Sequence, residues 1–413
     1  MTAPQTPLTG SVDALAEGRA RPYQWRSIAI WMSLLVVTLT LTSVAVSFSD
    51  VVGPSTLPWW PSQNLSLHVT GGMVVAPLTA AAVLWIASRP AAARMSWHNL
   101  LVLSYLASLA WSGALHTNVL PAATPTDTPG SVALTEWLTA YTGSRAGLAV
   151  TVTALSCLAV PLTLVAVKSV CGPVAARLLA PVLVLGPWAA WTTLGMDGVA
   201  AAACAAVLAA GAVASERRVR GLRAFWGAAA TGALLGVAAL LSYGAAWFAV
   251  SLLCLYFVRR RPWHILGSAA SALGVLAFAA TFGASWPAGL VDTYDAAVGE
   301  IAAHPGQLWW LLLMPALVCT ACGPAIVESL RRLGSGSAWP LMAGPLLALL
   351  LAPLSGANPE RPEYSWVALC PWLVVAATAS WRGAAGERGR SVKAPLASAA
   401  AGACAAIVMM YSG

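Results

Sequence analysis

Residues 216–261 read ERRVRGLRAFWGAAATGALLGVAALLSYGAAWFAVSLLCLYFVRRR, an apolar stretch with a cluster of arginines at each end. A helix needs roughly 20 apolar residues to cross about 30 Å of hydrocarbon, so this stretch is too long for one crossing and short for two. Basic residues collect on the cytoplasmic side of a membrane. If both arginine clusters lie there, the chain crosses twice and turns near Ser242, Tyr243 and Gly244.

The composition of the whole chain is that of a membrane protein. Its 413 residues include 22 Lys and Arg and 14 Asp and Glu, and 59% are hydrophobic. Only 9% are charged, against ~25% in an ordinary soluble domain, which is too few to cover a soluble surface. The same values exclude a disordered chain. The length and the eight dispersed cysteines exclude a small secreted disulfide scaffold.

The apolar runs are continuous rather than alternating, which favours spanning helices over a β-barrel. We therefore predict an all-α polytopic transmembrane bundle of about 13 spans, with the N-terminus in the cytoplasm, in the plasma membrane. Residues 1–26 are expected to form a disordered leader, and 27–411 a single transmembrane domain with its main external loops at 48–67, 115–145, 284–307 and 355–365. The predicted spans are 27–47, 69–88, 99–114, 147–167, 178–194, 197–215, 224–241, 244–258, 264–283, 308–330, 338–354, 366–381 and 394–411.

The charged residues sort by side in this topology. Of the 22 basic residues, 20 fall on the cytoplasmic side, and only Arg145 and Arg361 fall outside. Nine of the 14 acids fall outside. A wrong span count would scramble this sorting from the error onward. The formal charge of +8 is therefore an orientation signal and a means of contacting membrane lipids, and it does not indicate a nucleic-acid partner.

Two acids near predicted span ends are candidate catalytic residues. Asp50 opens the first external loop, where it either ends a helix at the interface or acts as a general base toward an acceptor hydroxyl. Asp197 lies between two closely spaced spans, where it either caps the next helix or faces a polar cavity.

Two external loops supply further candidates. The sequence of the loop 284–307 predicts an amphipathic interfacial helix. Its polar face, with Asp292, is either solvated or lines a substrate site, where Tyr294 and Trp286 are available to stack on a sugar ring. The loop 355–365 holds Arg361, which either pairs with neighbouring acids or grips a lipid-linked phosphate.

No metal or nucleotide site is predicted. His116 and Asp127 share one loop but are too few for zinc, and the pair Cys319 and Cys322 fits small packing residues better than a redox or metal site. No phosphate-binding glycine loop of the GxxxxGK[ST] or GxGxxG type occurs. Dependence on a divalent cation is left open, and the cofactor is unknown.

Three segments carry a resemblance to a known family. They are Ala180-Pro-Val-Leu-Val-Leu-Gly-Pro-Trp-Ala-Ala-Trp191 running into Asp197, Gly232-Ala-Leu-Leu-Gly-Val-Ala-Ala-Leu-Leu-Ser-Tyr-Gly244, and Leu354-Ser-Gly356 followed by an acidic segment, Trp366 and Pro371-Trp372. Residues 147–382 resemble actinobacterial multi-pass glycosyltransferases of the GT-C class, including methylthioxylose transferase-like members. The resemblance implies a GT-C fold and transfer of a sugar from a polyprenyl-phosphate donor on the outer face, with an acid in the first external loop, where Asp50 lies.

The chain departs from the family pattern at two places. Glu363 is followed by Tyr364 where such proteins tend to have Arg, although Arg361 lies two residues earlier. Asp127-Thr-Pro-Gly130 stands where they tend to have His-Pro-Pro-Gly. These departures keep a catalytically silent scaffold open as an alternative.

The leading hypothesis is a membrane glycosyltransferase that moves a sugar from a polyprenyl-phosphate-linked donor to a cell-envelope glycan or glycolipid. The alternatives are the silent scaffold and a transporter or lipid flippase. A transporter or flippase would have charged groups at mid-span and broken helices, and apart from the Ser242–Gly244 turn the sequence shows neither. The candidate catalytic residues are Asp50, Asp197 and Glu363. The candidate substrate-binding residues are Arg361, Glu360, Tyr243, Asp292, Tyr294, His116 and Trp366.

Overall fold

The computed structural model describes residues 25–41, 72–115, 128–190, 195–303, 317–334, 336–351, 366–384 and 393–411. Within these residues the regular structure is helical and no β-strand occurs. The α-helices are α1 Trp25–Leu41, α2 Gly72–Ser88, α3 Pro90–Arg94, α4 Trp97–Ala114, α5 Pro129–Thr142, α6 Arg145–Ser156, α7 Ala159–Cys171, α8 Pro173–Val184, α9 Asp197–Ala214, α10 Leu222–Leu241, α11 Phe248–Val258, α12 Pro262–Thr281, α13 Trp286–Ala303, α14 317–322, α15 Ala325–Arg331, α16 Trp339–Leu351, α17 Cys370–Leu373, α18 Ala377–Ala384 and α19 Lys393–Tyr411. Two 3₁₀ helices follow α8 and α10, namely η1 Pro187–Ala190 and η2 Tyr243–Trp247.

Four helical segments of the described chain are long and apolar enough to cross a membrane. They are Arg145–Cys171, which takes α6 and α7 together, Asp197–Ala214, Leu222–Leu241 and Pro262–Thr281. Shorter apolar helices lie within or close to the other predicted spans, but their length does not show a crossing. The all-helical prediction is confirmed for the described residues. The number of 13 crossings, the N-terminal side and the domain boundaries stay predictions.

Helices α9 and α10 run in opposite directions, with the end of α9 against the start of α10. An ideal Cβ built on Gly227 lies 2.8 Å from the Ala214 side chain, and one built on Gly211 lies 3.3 Å from Thr231. Small residues let the two helix backbones approach closely. Most of α9 is buried in this packing.

Helices α10 and α12 run in the same direction. Ser268 donates a hydrogen bond to the Ala228 carbonyl at 2.9 Å, and further along both helices a Cβ on Gly236 would lie 2.9 Å from the Ala272 carbonyl oxygen. Two neighbouring helices that are parallel require a returning segment between them. That segment is η2 with α11, and the chain turns at Ser242, which has an extended backbone between α10 and η2. The predicted turn near residues 242–244 is thereby confirmed.

Arginine side chains close the helix ends on one side of the bundle. Arg259, which follows α11, donates to the Ala212 carbonyl, to Ser215 Oγ at 2.9 Å and to the Ser169 carbonyl at 2.8 Å. The last carbonyls of a helix have no partner within the helix, and a cation there also opposes the negative end of the helix dipole. Arg259 therefore joins the C-terminal ends of α7, α9 and α11. We name the side that carries residues 216–223 and 259–261 the arginine end.

The helices are interrupted at places where the sequence predicts continuous spans. Gly323, at φ +71°, separates α14 from α15, and a Cβ built on it would lie 3.4 Å from Pro187 Cδ, in η1. Gly402 of α19 packs against the same proline, at 3.3 Å from its Cδ to an ideal Cβ. Two helix interruptions therefore meet inside the bundle. The expectation of unbroken helices at 178–194 and 308–330 is wrong, because hydropathy does not distinguish a continuous apolar helix from a broken one.

Candidate functional site

Tyr243 lies at the centre of a polar and aromatic cluster on the side opposite the arginine end. It begins η2, directly after the turn at Ser242. Helix α13 packs against it, and a Cβ at Gly289 would overlap the Tyr243 hydroxyl. Glycine therefore allows the phenol to lie directly on the α13 backbone. We name Tyr243, Trp286, Asp292 and Thr293 the Tyr243 cluster.

Trp286, at the start of α13, packs against Tyr243 in this cluster. Its indole N–H donates to the Ala239 carbonyl at 3.0 Å, which fixes the start of α13 to the end of α10. The ring centroids of Trp286 and Tyr243 lie 5.8 Å apart at an interplanar angle of 60°, an edge-to-face pair. Trp286 is predicted from the sequence as a stacking residue, but its contact with Tyr243 is not.

Two polar side chains of α13 act on the Tyr243 phenol. Burial raises the pKa of Tyr243, which lies in the turn between the predicted spans 224–241 and 244–258. A hydrogen bond with Thr293 lowers this pKa, and the negative charge of Asp292 raises it. Thr293 also donates to the Gly289 carbonyl at 2.8 Å. The structure thus brings Tyr243 and Asp292 together, and sequence analysis missed Thr293 and Gly289.

The predicted helix at 284–307 is present as α13, and its polar residues are accessible. Asp292 is exposed, and Tyr294 has 47% of its surface exposed. The α13 side chains therefore form an accessible rim beside the partly buried Tyr243. Their location at a membrane interface stays a prediction.

Asp197 begins α9 on the same side of the bundle. The residue before it, Met196, is the N-cap, so Asp197 lies in the first turn and is not the cap itself. A carboxylate in the first turn interacts favourably with the positive end of the helix dipole. Met196 and Val199 pack in a small cluster that also contains Leu138 of α5 and Leu241 of α10. This packing places the half-buried Asp197 near the turn that carries Tyr243.

The remaining candidates divide into one buried residue and several outside the described residues. Trp366 is 3% exposed and packs in the main hydrophobic core. Its role in substrate binding stays a prediction. The candidates outside the described residues are Asp50, His116, Glu360, Arg361 and Glu363. Among the described residues, no group of three or more His, Cys, Asp or Glu side chains is placed to hold a metal ion.

Glu328 of α15 is a buried acid that the sequence pattern does not mark as a candidate. It is 8% exposed, and its Oε1 accepts a hydrogen bond from Ser27 of α1. Its Oε2 is buried without a hydrogen-bond partner in the described part of the chain. Its burial arises from the tertiary packing of α15 against α1, which the local sequence does not reveal.

The chain has a distant structural likeness to a solved structure. The crystal structure of the Archaeoglobus fulgidus oligosaccharyltransferase complex with Zn and sulfate matches at 14% sequence identity and a TM-score of 0.42, over 83% of this chain and 53% of that one. This chain thus spans about half the length of that protein. No family model matches the chain. No curated protein matches it either.

Proposed function

We propose that this protein is a membrane glycosyltransferase with a GT-C-type fold that uses a polyprenyl-phosphate-linked sugar. The acceptor is a glycan or glycolipid of the cell envelope, and the reaction takes place at the side of the bundle that carries the Tyr243 cluster. The observation that carries the proposal is the contact between Tyr243, Trp286 and the carboxylate-bearing α13 on that side. The resemblance of residues 147–382 to this class of transferase also supports it.

The chemistry of the Tyr243 cluster suits a sugar. Aromatic rings present flat apolar faces to the C–H groups of a pyranose or furanose, while the Tyr hydroxyl remains able to form hydrogen bonds. Carboxylates such as Asp292 accept hydrogen bonds from sugar hydroxyls. A concave site with apolar walls and a few fixed polar groups is the usual form of a small-molecule site. In this proposal Tyr243 and Asp292 hold the sugar, and Tyr294 and Trp286 limit its orientation.

Sorting of charge along the bundle also supports the proposal. Four of the described acids, Glu136, Asp197, Asp292 and Asp295, belong to helices at the Tyr243 side, whereas the arginine clusters lie at the other end, together with Glu216. Basic residues mark the cytoplasmic side of a membrane protein. The Tyr243 cluster then faces outward, where a lipid-linked donor is available and a nucleotide sugar is not.

The proposed reaction needs a base and a cation, and residues outside the described part supply them. The acceptor hydroxyl oxygen forms a bond to the anomeric carbon of the donor, and Asp50 takes the hydroxyl proton. The bond from the anomeric carbon to the phosphate oxygen breaks, and its electron pair leaves with the phosphate. In the proposal Arg361 stabilises that developing charge, Asp197 and Glu363 serve as a polar wall, and Glu360, His116 and Trp366 contribute to substrate binding.

The test is the envelope glycan profile of a deletion strain complemented with variants of the full chain. We expect deletion to remove one glycan decoration, wild type to restore it, and Asp50→Asn to leave it missing. Asp13→Asn, which removes an acid from the leader, serves as the matched control and should restore the decoration. Membrane levels of each variant are measured in parallel. An unchanged profile in the deletion strain contradicts the proposed function, and restoration by Asp50→Asn removes that residue as the base.

A transporter or flippase of envelope precursors is the second candidate, and the broken helices favour it. The interruption at Gly323 meets the one at Pro187 within the bundle, and interrupted helices are common at transporter substrate sites. Detergent-solubilised membranes of the deletion strain separate the two functions. A flippase is no longer needed once the bilayer is dissolved and the lipid-linked donor is no longer confined to one leaflet, so the glycan product forms. A missing transferase leaves the product absent until the purified full chain is added back.

A further inference from the structure

A cavity of about 490 Å³ lies at the arginine end, between α2, α3, α4 and α8. Its position at that end follows from α7, whose Lys168 ammonium lies 4.2 Å from the ring centroid of Trp97 at the start of α4. Ser169, the next residue of α7, contacts Arg259. The cavity is therefore at the opposite side from the Tyr243 cluster and separate from the proposed reaction.

The cavity combines an apolar interior with a cationic rim. Its walls include Val83, Leu103, Leu178 and Val184, all apolar side chains. Three arginines also line it, and no acidic side chain is among the described residues that do so. Ser88 and Ser104 also line it, but their hydroxyls donate to the Trp85 and Leu101 carbonyls of their own helices, so neither donor is left for a soluble metabolite. This arrangement instead fits a molecule with one anionic group and one apolar chain.

The three arginines are Arg89, Arg94 and Arg177, and they come from different elements. Arg89 and Arg94 flank and end the short helix α3, which connects α2 to α4. The Arg89 guanidinium lies 4.4 Å from the centroid of the Trp85 ring, a cation–π contact that holds it near the cavity mouth. Arg177 comes from α8, and its guanidinium reaches Met95, the residue after α3. An anion between α3 and α8 would meet cations from both helices.

Only some of the N–H donors of Arg177 form hydrogen bonds within the described part of the protein. One Nη2 N–H donates to the Met95 carbonyl at 2.7 Å. Its Nε is buried without a hydrogen-bond partner among the described residues. An unpaired buried donor is costly, and the planar guanidinium suits bidentate bonding to a phosphate. Because Met95 fixes the side chain, the remaining donors have a defined direction.

We infer that the cavity binds one anionic membrane phospholipid. Its headgroup phosphate pairs with Arg177 and with Arg94 or Arg89, and one acyl chain lies among the apolar side chains of α2, α4 and α8. Basic pockets between membrane helices on the cytoplasmic side are suited to anionic headgroups. The inference does not rest on the glycosyltransferase proposal, since it holds for any function of the opposite side.

The test measures lipid retained by the purified full chain in detergent, by native mass spectrometry. The probes are dioleoylphosphatidylglycerol and dioleoylphosphatidylcholine. We expect the wild type to retain the anionic lipid over the neutral one, and Arg177→Gln to lower that retention about five-fold or more. Arg223→Gln removes one exposed cation from the same end and should retain lipid as the wild type does. Equal retention by Arg177→Gln and Arg223→Gln, or equal retention of the two lipids by the wild type, overturns the inference.

Two further measurements test whether the site needs the acyl chain as well as the anionic group. Ala107 lines the apolar part of the cavity, so Ala107→Trp should reduce lipid retention without changing any charge. Glycerol 3-phosphate carries the anionic group without a chain, and a large excess should not displace the lipid. Displacement by glycerol 3-phosphate, or full retention by Ala107→Trp, contradicts a site that needs the acyl chain. If Arg177→Gln elutes as an aggregate, the double variant Arg89→Gln and Arg94→Gln replaces it, with the same five-fold expectation.

Discussion

Gly289 determines how closely the Tyr243 phenol approaches α13. The sequence predicts the helix that carries Gly289 and marks Tyr243 as a candidate, but no local pattern pairs residues 46 positions apart. The pairing depends on how α10 returns through η2, which only tertiary packing decides. Asp292 and Thr293 reach the phenol for the same reason. Tyr243, Trp286 and Asp292 were therefore foreseeable as candidates, whereas Thr293 and the contacts within the cluster were not.

Replacing Gly289 with alanine should disturb this contact. The added Cβ overlaps the Tyr243 hydroxyl, so the ring or α13 must shift, and we expect a loss of about 1–3 kcal/mol of stability. Gly299→Ala is the matched control on the same helix, because a Cβ there has nothing within 4 Å. The control should be neutral or gain about 0.5–1 kcal/mol from helix propensity. Thermal unfolding of both purified variants in detergent measures the difference, and equal stabilities would show that Tyr243 does not lie on Gly289.

At the scale of helices, hydropathy and charge predicted which segments are helical and approximately where those helices begin and end. They did not predict the breaks inside the helices. The predicted span 224–241 corresponds to α10, Leu222–Leu241, because an arginine cluster and the Ser-Tyr-Gly turn delimit it. The predicted span 308–330 contains a break at Gly323 that its apolar composition conceals. Glycine is permitted in membrane helices without a break, so its presence alone does not indicate one. The contacts with Pro187 and Gly402 accompany the break here.

Arg259 is expected to stabilise three helix ends at once. Its replacement by glutamine removes charged donors from the Ala212 and Ser169 carbonyls and from Ser215, although the Ala212 carbonyl keeps a hydrogen bond from Ser169 Oγ at 2.9 Å. We expect a loss of about 2–4 kcal/mol. The neighbouring Arg260 is exposed and serves as the control, since Arg260→Gln should change stability by less than about 0.5 kcal/mol. The midpoint of thermal unfolding in detergent provides the comparison, and matching midpoints for the two variants contradict the capping role.

At the scale of the whole molecule, the direction of α9 to α12 follows the sorting of arginines that the sequence shows. Parallel α10 and α12, with α11 returning between them, place residues 216–223 and 259–261 at one end. The sequence yielded this arrangement because two basic clusters flank an apolar stretch of intermediate length. The sequence did not predict the cavity at that end, which forms from helices distant in the sequence, α2 and α3 against α8.

The side of the membrane that each end faces can be measured by inserting a reporter domain into exposed turns of the full chain. Gly221, Arg260 and Gly283 lie in turns between described helices, and all are exposed. We expect alkaline phosphatase, which is active only after export, to be inactive at Gly221 and Arg260 and active at Gly283. A fluorescent protein at the same sites should give the reverse pattern, which controls for expression. Because an even number of crossings returns the chain to the same side, opposite results at Gly221 and Arg260 would contradict two crossings between the arginine clusters. Activity at both, with none at Gly283, would retain the two crossings but place the Tyr243 cluster in the cytoplasm, where a lipid-linked donor on the outer face could not reach it.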